Sequence, residues 1–177
     1  MKKKIRKQDF NNFWYNKTIP KKKFYSWYLF NIIVFTNPFI VSYWLKRIIL
    51  KLHGAKIGKR FIIKPGVKIK YPWNLECGNY VSIGEDVWID NIEKVKLRDQ
   101  VTISQGAYLL TGNHNYKKVS FDLIVKPIIV EHGVWIGAKT IICPGTELKS
   151  HSIITAGSVL TKSTEPYTIY QGNPAIE

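Results

Sequence analysis

Among the four histidines of this 177-residue chain, His114 stands in a stretch built differently from its surroundings. It lies in Gly112–Asn113–His114–Asn115–Tyr116, a polar, turn-forming run that carries no core-type aliphatic residue. A neutral imidazole can take a proton from a bound nucleophile near neutral pH, so a histidine placed there could act as a general base. The sequence on both sides is regular. Aliphatic residues recur six apart at Leu97, Ile103 and Leu109, and again at Val130, Ile136, Ile142, Leu148 and Ile154. Between Leu109 and Val130 the step is 21 residues, three periods and three more. A regular scaffold that breaks once, around a histidine, marks the break as the place of chemistry.

The remaining reactive side chains offer less. His53 precedes the repeat beside Gly54 and reads as a joint residue. His132 and His151 are 19 apart, which makes them neighbours on one face, but a metal site needs a third ligand, so no metal is expected. Cys77 falls on the aliphatic phase and reads as core; Cys143, beside Pro144–Gly145, reads as a corner residue. Two cysteines make neither a disulfide framework nor a zinc site, and a reducing compartment is the simplest reading.

The elements that must position His114 follow from the period. It begins at Ile57, Ile63 and Ile69, shifts by two to Cys77, Ile83 and Ile89, and shifts by two again to Leu97. Glycine follows the aliphatic residue at positions 58, 78, 84 and 137, and small or β-branched residues such as Val67, Val81, Ala107 and Thr140 follow four positions after it. Neither a helix nor an ordinary strand has this period. Six is three strand alternations, so each unit is a short strand and a turn, and three units make a triangular coil with the aliphatic residue inside. Stacked coils bury one continuous core, the pattern of a parallel β-helix. This predicts an all-β fold over residues 53–165, with an excursion loop at 110–128 and a C-terminal tail at 166–177.

The first 60 residues carry 15 Lys and Arg against one acid, Asp9, while the remainder holds 12 against 11. The formal charge of +15 therefore belongs to the N-terminal third, residues 1–52 being a basic, aromatic helical segment. Within it, residues 24–45 carry no formal charge. That length meets a crude criterion for a transmembrane helix, but Asn31, Thr36, Asn37, Pro38 and Ser42 interrupt it. Asn37–Pro38 reads as a joint between helices over about 23–36 and 38–52. Three readings stand: a span, helices packed on protein, or helices lying on an anionic membrane face. No zinc-finger spacing or RNA-binding motif accompanies the lysines, so nucleic acid is not expected. The basic start lacks an apolar run with a cleavage site, so no cleavable signal is expected either.

The runs Ile83–Gly84–Glu85–Asp86–Val87–Trp88 and Trp135–Ile136–Gly137–Ala138–Lys139–Thr140–Ile141–Ile142–Cys143–Pro144–Gly145–Thr146 resemble the hexapeptide-repeat acyltransferases. The resemblance implies a left-handed β-helix. Tyr71–Pro72–Trp73–Asn74–Leu75, Ile103–Ser104–Gln105–Gly106–Ala107–Tyr108, Gly112–Asn113–His114, Phe121–Asp122–Leu123–Ile124 and Gln171–Gly172–Asn173–Pro174–Ala175 are similar to the O-acetyltransferases of colanic-acid, capsule and O-antigen clusters. It implies a cytoplasmic homotrimer, peripheral on the inner membrane face, that moves acetyl from acetyl-CoA to a sugar or lipid-linked glycan hydroxyl. His114 is then the general base, and Asp90, Asn113 and Tyr116 meet the acceptor. Trp135, Gly137 and Ala138 line the pantetheine arm. An amine remains open as acceptor. A Lys/Arg-containing tail usual in those relatives is not seen before Glu177, so the phosphate contact such a tail makes is expected to be missing or supplied from elsewhere. The alternatives are a non-catalytic β-helix scaffold and, more distantly, a metal-dependent hydratase of the γ-carbonic anhydrase type.

Overall fold

The computed structural model describes residues 6–12, 15 and 19–177. From Lys56 onward the chain winds through three parallel sheets. The first holds Lys56–Ile57, Leu75–Cys77, Val95–Leu97, Ile128–Val130 and Glu147–Leu148. The second runs from Ile62–Ile63 through Ser82–Ile83, Thr102–Ile103, Trp135–Ile136 and Ile153–Ile154 to Ile169–Gly172. The third holds Lys68–Ile69, Trp88–Asp90, Tyr108–Leu110, Ile141–Ile142 and Val159–Leu160.

Each aliphatic residue of the six-residue period pairs in register with its equivalent one coil on, and each is buried. Ile57, Cys77, Leu97, Val130 and Leu148 form one inward row; Ile63, Ile83, Ile103, Ile136 and Ile154 form the second. Ile69, Ile89, Leu109, Ile142 and Leu160 form the third. The glycine after the aliphatic residue is required by this stacking. A Cβ on Gly137 would lie 2.6 Å from the Ile154 carbonyl oxygen and 2.7 Å from the Ala156 nitrogen.

The coils advance 20 residues before the excursion, from Lys56 to its register partner Glu76, and 18 after it, from Ile129 to Glu147. The two extra residues fall between the third and first sheets, where Tyr71 and Asn91 exchange hydrogen bonds of 2.9 and 2.7 Å. The excursion leaves from that same corner one coil later. It is a β-hairpin, Gly112–His114 pairing antiparallel with Leu123–Val125, and not an irregular loop throughout.

The open start of the β-helix is capped by helices. Helix α1 (Lys21–Phe30) runs into a π-helical turn (Asn31–Phe35), and helix α2 spans Tyr43–Leu52. The second helix begins later than the 38 expected from sequence. Asn37 makes a turn there, its side chain accepting from the Phe39 N–H, and Ser42 caps the helix by accepting from the Leu45 N–H at 3.3 Å. Trp27 is buried and donates to the carbonyls of Ile69 and Lys70 on the edge strand at 3.0 and 3.1 Å. Phe35, Ile49 and Leu50 complete the apolar plug, covering an end row that would otherwise meet water. Among the described residues no helix is long and apolar enough to cross a membrane. At the other end, residues expected as a tail extend the second sheet: Ile169–Gly172 pairs parallel with Ile153–Ile154 and turns back into Ala175–Ile176.

Candidate functional site

Hairpin pairing places His114 opposite Leu123, so the chain turns between them and returns Phe121 to the imidazole. Phe121 adopts a left-handed backbone, φ 51°, which aims both its carbonyl and its ring at His114. The His114 Nδ1 lies 2.9 Å from the Phe121 oxygen, and the two rings stack at 4.4 Å and 3°. A carbonyl only accepts, so Nδ1 carries the proton and the Nε2 lone pair is left as the basic site. Phe10 leans on the imidazole from another side, its ring centroid 5.7 Å away. The backbone N–H of Arg6 joins the Val119 carbonyl of the excursion at 2.9 Å. An N-terminal arm thus lies over the loop that carries the histidine.

Asp90 ends its strand at the corner from which the hairpin departs one coil on, and its register partner is Leu110. Its carboxylate pairs with Lys70 Nζ at 2.9 Å and accepts from the Tyr108 hydroxyl at 3.4 Å. Its carbonyl accepts from the Thr111 hydroxyl at 3.0 Å, bracing the first residue of the excursion. Burial, then the Asp90 charge, raises the Tyr108 phenol. Tyr15 of the arm donates its hydroxyl to the Ile92 carbonyl. Burial is the main reason its phenol is pushed up to about 12, with Tyr71, Glu93 and Asp90 adding. Of the other acceptor candidates, Asn113 is exposed and its side-chain oxygen accepts from the His114 N–H at 2.8 Å, while Tyr116 is exposed at the hairpin turn.

Trp135, Gly137 and Ala138 line one groove of about 400 Å³ with Ser104, Gln105 and Thr155. The indole is half exposed and fixed by its N–H to the Ser104 hydroxyl at 2.9 Å. Its flat face and the small residues beside it leave a slot with an apolar wall. Trp135 lies on the second sheet, whereas the excursion leaves the corner between the third and first, opposite that sheet. One chain therefore carries the histidine and the groove on different sides.

The His132 and His151 rings do meet, edge to face at 5.3 Å, and Tyr167 stacks on His151. Among the described residues no group of three His, Cys, Asp or Glu could hold a metal ion. His53 is buried at the helix joint, its ring hydrogen-bonded to the Ile49 carbonyl. Both thiols are pushed up by burial, which disfavours a thiolate at either. Phe10, Phe121, Tyr15 and Tyr108 are contacts that sequence reasoning missed. Lys70 and Asp90, 20 apart, were legible as one coil's separation; the arm's return onto the hairpin had no sequence signal.

Residues 127–162 match the hexapeptide repeat of succinyl-transferase. The chain is 32% identical over 151 residues to the colanic acid biosynthesis acetyltransferase WcaF of Escherichia coli K12, covering 85% of this chain and 82% of that one. It is 28% identical over 129 residues to the galactoside O-acetyltransferase of the same strain, covering 71% and 64%. The hexapeptide-repeat acetyltransferase VCA0836 of Vibrio cholerae, solved in complex with acetyl coenzyme A, aligns with a TM-score of 0.78 at 19% identity, over 88% of this chain and 85% of that one. That likeness shows the fold to be the left-handed parallel β-helix. With 32% identity to WcaF along most of both chains, this chain belongs to the hexapeptide-repeat acyltransferases and is an acetyltransferase.

Proposed function

We propose that this acetyltransferase moves acetyl from acetyl-CoA to a sugar hydroxyl in surface-polysaccharide assembly, by direct transfer with His114 as general base. The observation that carries the reading is the hydrogen bond from His114 Nδ1 to the Phe121 carbonyl, which leaves Nε2 as the proton acceptor. Nε2 takes the hydroxyl proton as the oxygen attacks the thioester carbonyl. The tetrahedral oxyanion then collapses, the C–S bond breaks, and the imidazolium returns its proton to the departing sulfur. No covalent enzyme intermediate forms, and Cys143 has no part.

The groove at Trp135 suits the co-substrate's slender arm, and Asp90 suits a sugar hydroxyl. The opposed placement of groove and histidine supports a site shared between copies, with the excursion of one subunit reaching the groove of the next in a homotrimer. The acceptor class follows from relatives that include a colanic acid acetyltransferase and a galactoside O-acetyltransferase.

The location we propose is cytoplasmic and peripheral to the membrane. Support comes from the helical cap, which leaves Tyr25, Leu29, Ile33, Phe39 and Trp44 exposed. Exposed Lys21, Lys22 and Lys51 adjoin them. The test is release of free CoA from acetyl-CoA with a panel of nucleotide sugars, free sugars and polyprenyl-linked glycans. Acetylated product should form with a hydroxyl-bearing sugar. Transfer confined to an amino sugar's nitrogen, or none with any acceptor, would overturn the reading.

A further inference from the structure

Between the hairpin and the corner that carries Asp90, the N-terminal arm makes contacts that neither the core nor the helical cap explains. A short 3-10 helical turn at Lys7–Asp9, held by the Asp9 N–H on the Arg6 carbonyl at 3.1 Å, delivers Phe10 beside His114. Gln8, Asp9, Asn11 and Asn12 stay exposed, whereas Phe10 is half-buried. Its ring is no part of the hydrophobic core of the described residues. It meets the imidazole at 5.7 Å and 55°, outside the parallel stack of His114 on Phe121. On one side of Phe10 the Arg6 N–H binds the Val119 carbonyl at 2.9 Å, and on the other the Tyr15 hydroxyl donates to the Ile92 carbonyl. Burial first, then the charges of Tyr71, Glu93 and Asp90, raise that phenol, which places it in the field of Asp90. The arm is thus fastened to the excursion before Phe10 and to the Asp90 corner after it.

Those anchors flank the space in which an acceptor hydroxyl sits when His114 takes its proton and Asp90 meets the sugar. Nδ1 of His114 is committed to the Phe121 carbonyl, and one face of the ring lies on Phe121. Phe10 covers a further side and leaves less of the imidazole open to solvent. A phenyl ring has no polar atom, so it cannot itself move a proton. Beside a base it can keep water away and offer a flat apolar surface to the C–H groups of a pyranose. We infer that Phe10 is the acceptor-side wall of the active site and a specificity-determining residue, favouring a pyranose over water as the nucleophile presented to His114. The inference goes beyond the general-base reading and rests on it for the nucleophile's identity, although the shielding of the imidazole can be measured without any sugar.

The test compares full-length Phe10→Ala, Phe10→Leu and Phe10→Tyr with the native chain. Carbethoxylation of His114 by diethyl pyrocarbonate, read by peptide mass spectrometry, reports access to the imidazole. Hydrolysis of acetyl-CoA without an acceptor reports access of water. Both should rise several-fold in Phe10→Ala and stay near native in Phe10→Leu and Phe10→Tyr, since leucine still excludes water. With a sugar acceptor, Phe10→Ala should raise the acceptor KM by about tenfold and leave the acetyl-CoA KM unchanged. Phe10→Tyr should restore the acceptor KM, and Phe10→Leu should not, because it lacks a flat face. Native rates of modification and hydrolysis in Phe10→Ala, or an unchanged acceptor KM, would overturn the inference. So would transfer and hydrolysis falling together, the result for a residue that only braces the hairpin. If the native chain acetylates no sugar, the acceptor reading falls, while the modification and hydrolysis rates still decide whether Phe10 walls off the base.

Discussion

His114→Asn is the sharpest perturbation of the proposed chemistry, because it separates the two jobs of the imidazole. The asparagine amide falls near the position of Nδ1 and can still donate to the Phe121 carbonyl, but nothing replaces Nε2. His114→Ala loses both. In that variant the hydrogen bond is worth about 0.5–1.5 kcal/mol. The ring stack on Phe121 is worth about 0.5–1.5 kcal/mol more. That cost of about 1–3 kcal/mol falls on the hairpin, which stands outside the three inward rows that hold the β-helix together. Thermal unfolding of either variant should therefore stay near that of the native chain. Loss of a general base slows the chemical step by about 10²–10⁴, or about 3–5 kcal/mol. Single-turnover transfer at saturating acetyl-CoA should show that loss for Asn and Ala alike, with the acetyl-CoA affinity retained. If His114→Asn keeps activity within a few-fold of native while His114→Ala does not, the ring serves to hold the hairpin and the base lies elsewhere.

Gly137→Ala places a Cβ against the Ile154 carbonyl and should destabilise the fold by about 1–3 kcal/mol in chemical denaturation; unchanged stability would mean that the coils can part there at no cost. Lys46 is fully buried under Phe35, with the Lys64 carbonyl 3.3 Å from its ammonium. Desolvation lowers its pKa, so the unfolded chain binds the proton more tightly and stability rises with pH as the ordinary lysine value is approached. Lys46→Met should raise the melting temperature at neutral pH, and the gain should shrink as pH rises; a gain independent of pH would contradict the burial argument. Intact protein should sediment with anionic vesicles and be only partly released by salt, because lysines worth about 1 kcal/mol each are screened whereas Trp44 and Phe39 stay buried in the headgroup layer. Trp44→Ser with Phe39→Ser should convert that binding to fully salt-releasable, and a double variant with native salt resistance would exclude the cap as the contact.

What could be read from the sequence divides along one physical line. The period of six was legible because each residue on it has a single environment, the coil interior, and a polar substitution at any of them would bury an unpaired group. The separation of 20 that joins Lys70 to Asp90 follows from the same rows, although the pair itself was not read from them. They also located the excursion as a failure of phase at a corner that already holds two extra residues. Contacts off those rows left no such trace. Phe121 reaches His114 by a left-handed backbone, which a phenylalanine adopts only when its surroundings impose it, so no propensity could announce it. Trp27 looks in sequence like one more aromatic of an amphipathic helix. Its indole N–H instead satisfies two carbonyls at the edge of the third sheet and so ties α1 to that sheet. A residue that reads as helix surface is therefore the pin between two elements, and only the tertiary register of the third sheet reveals it.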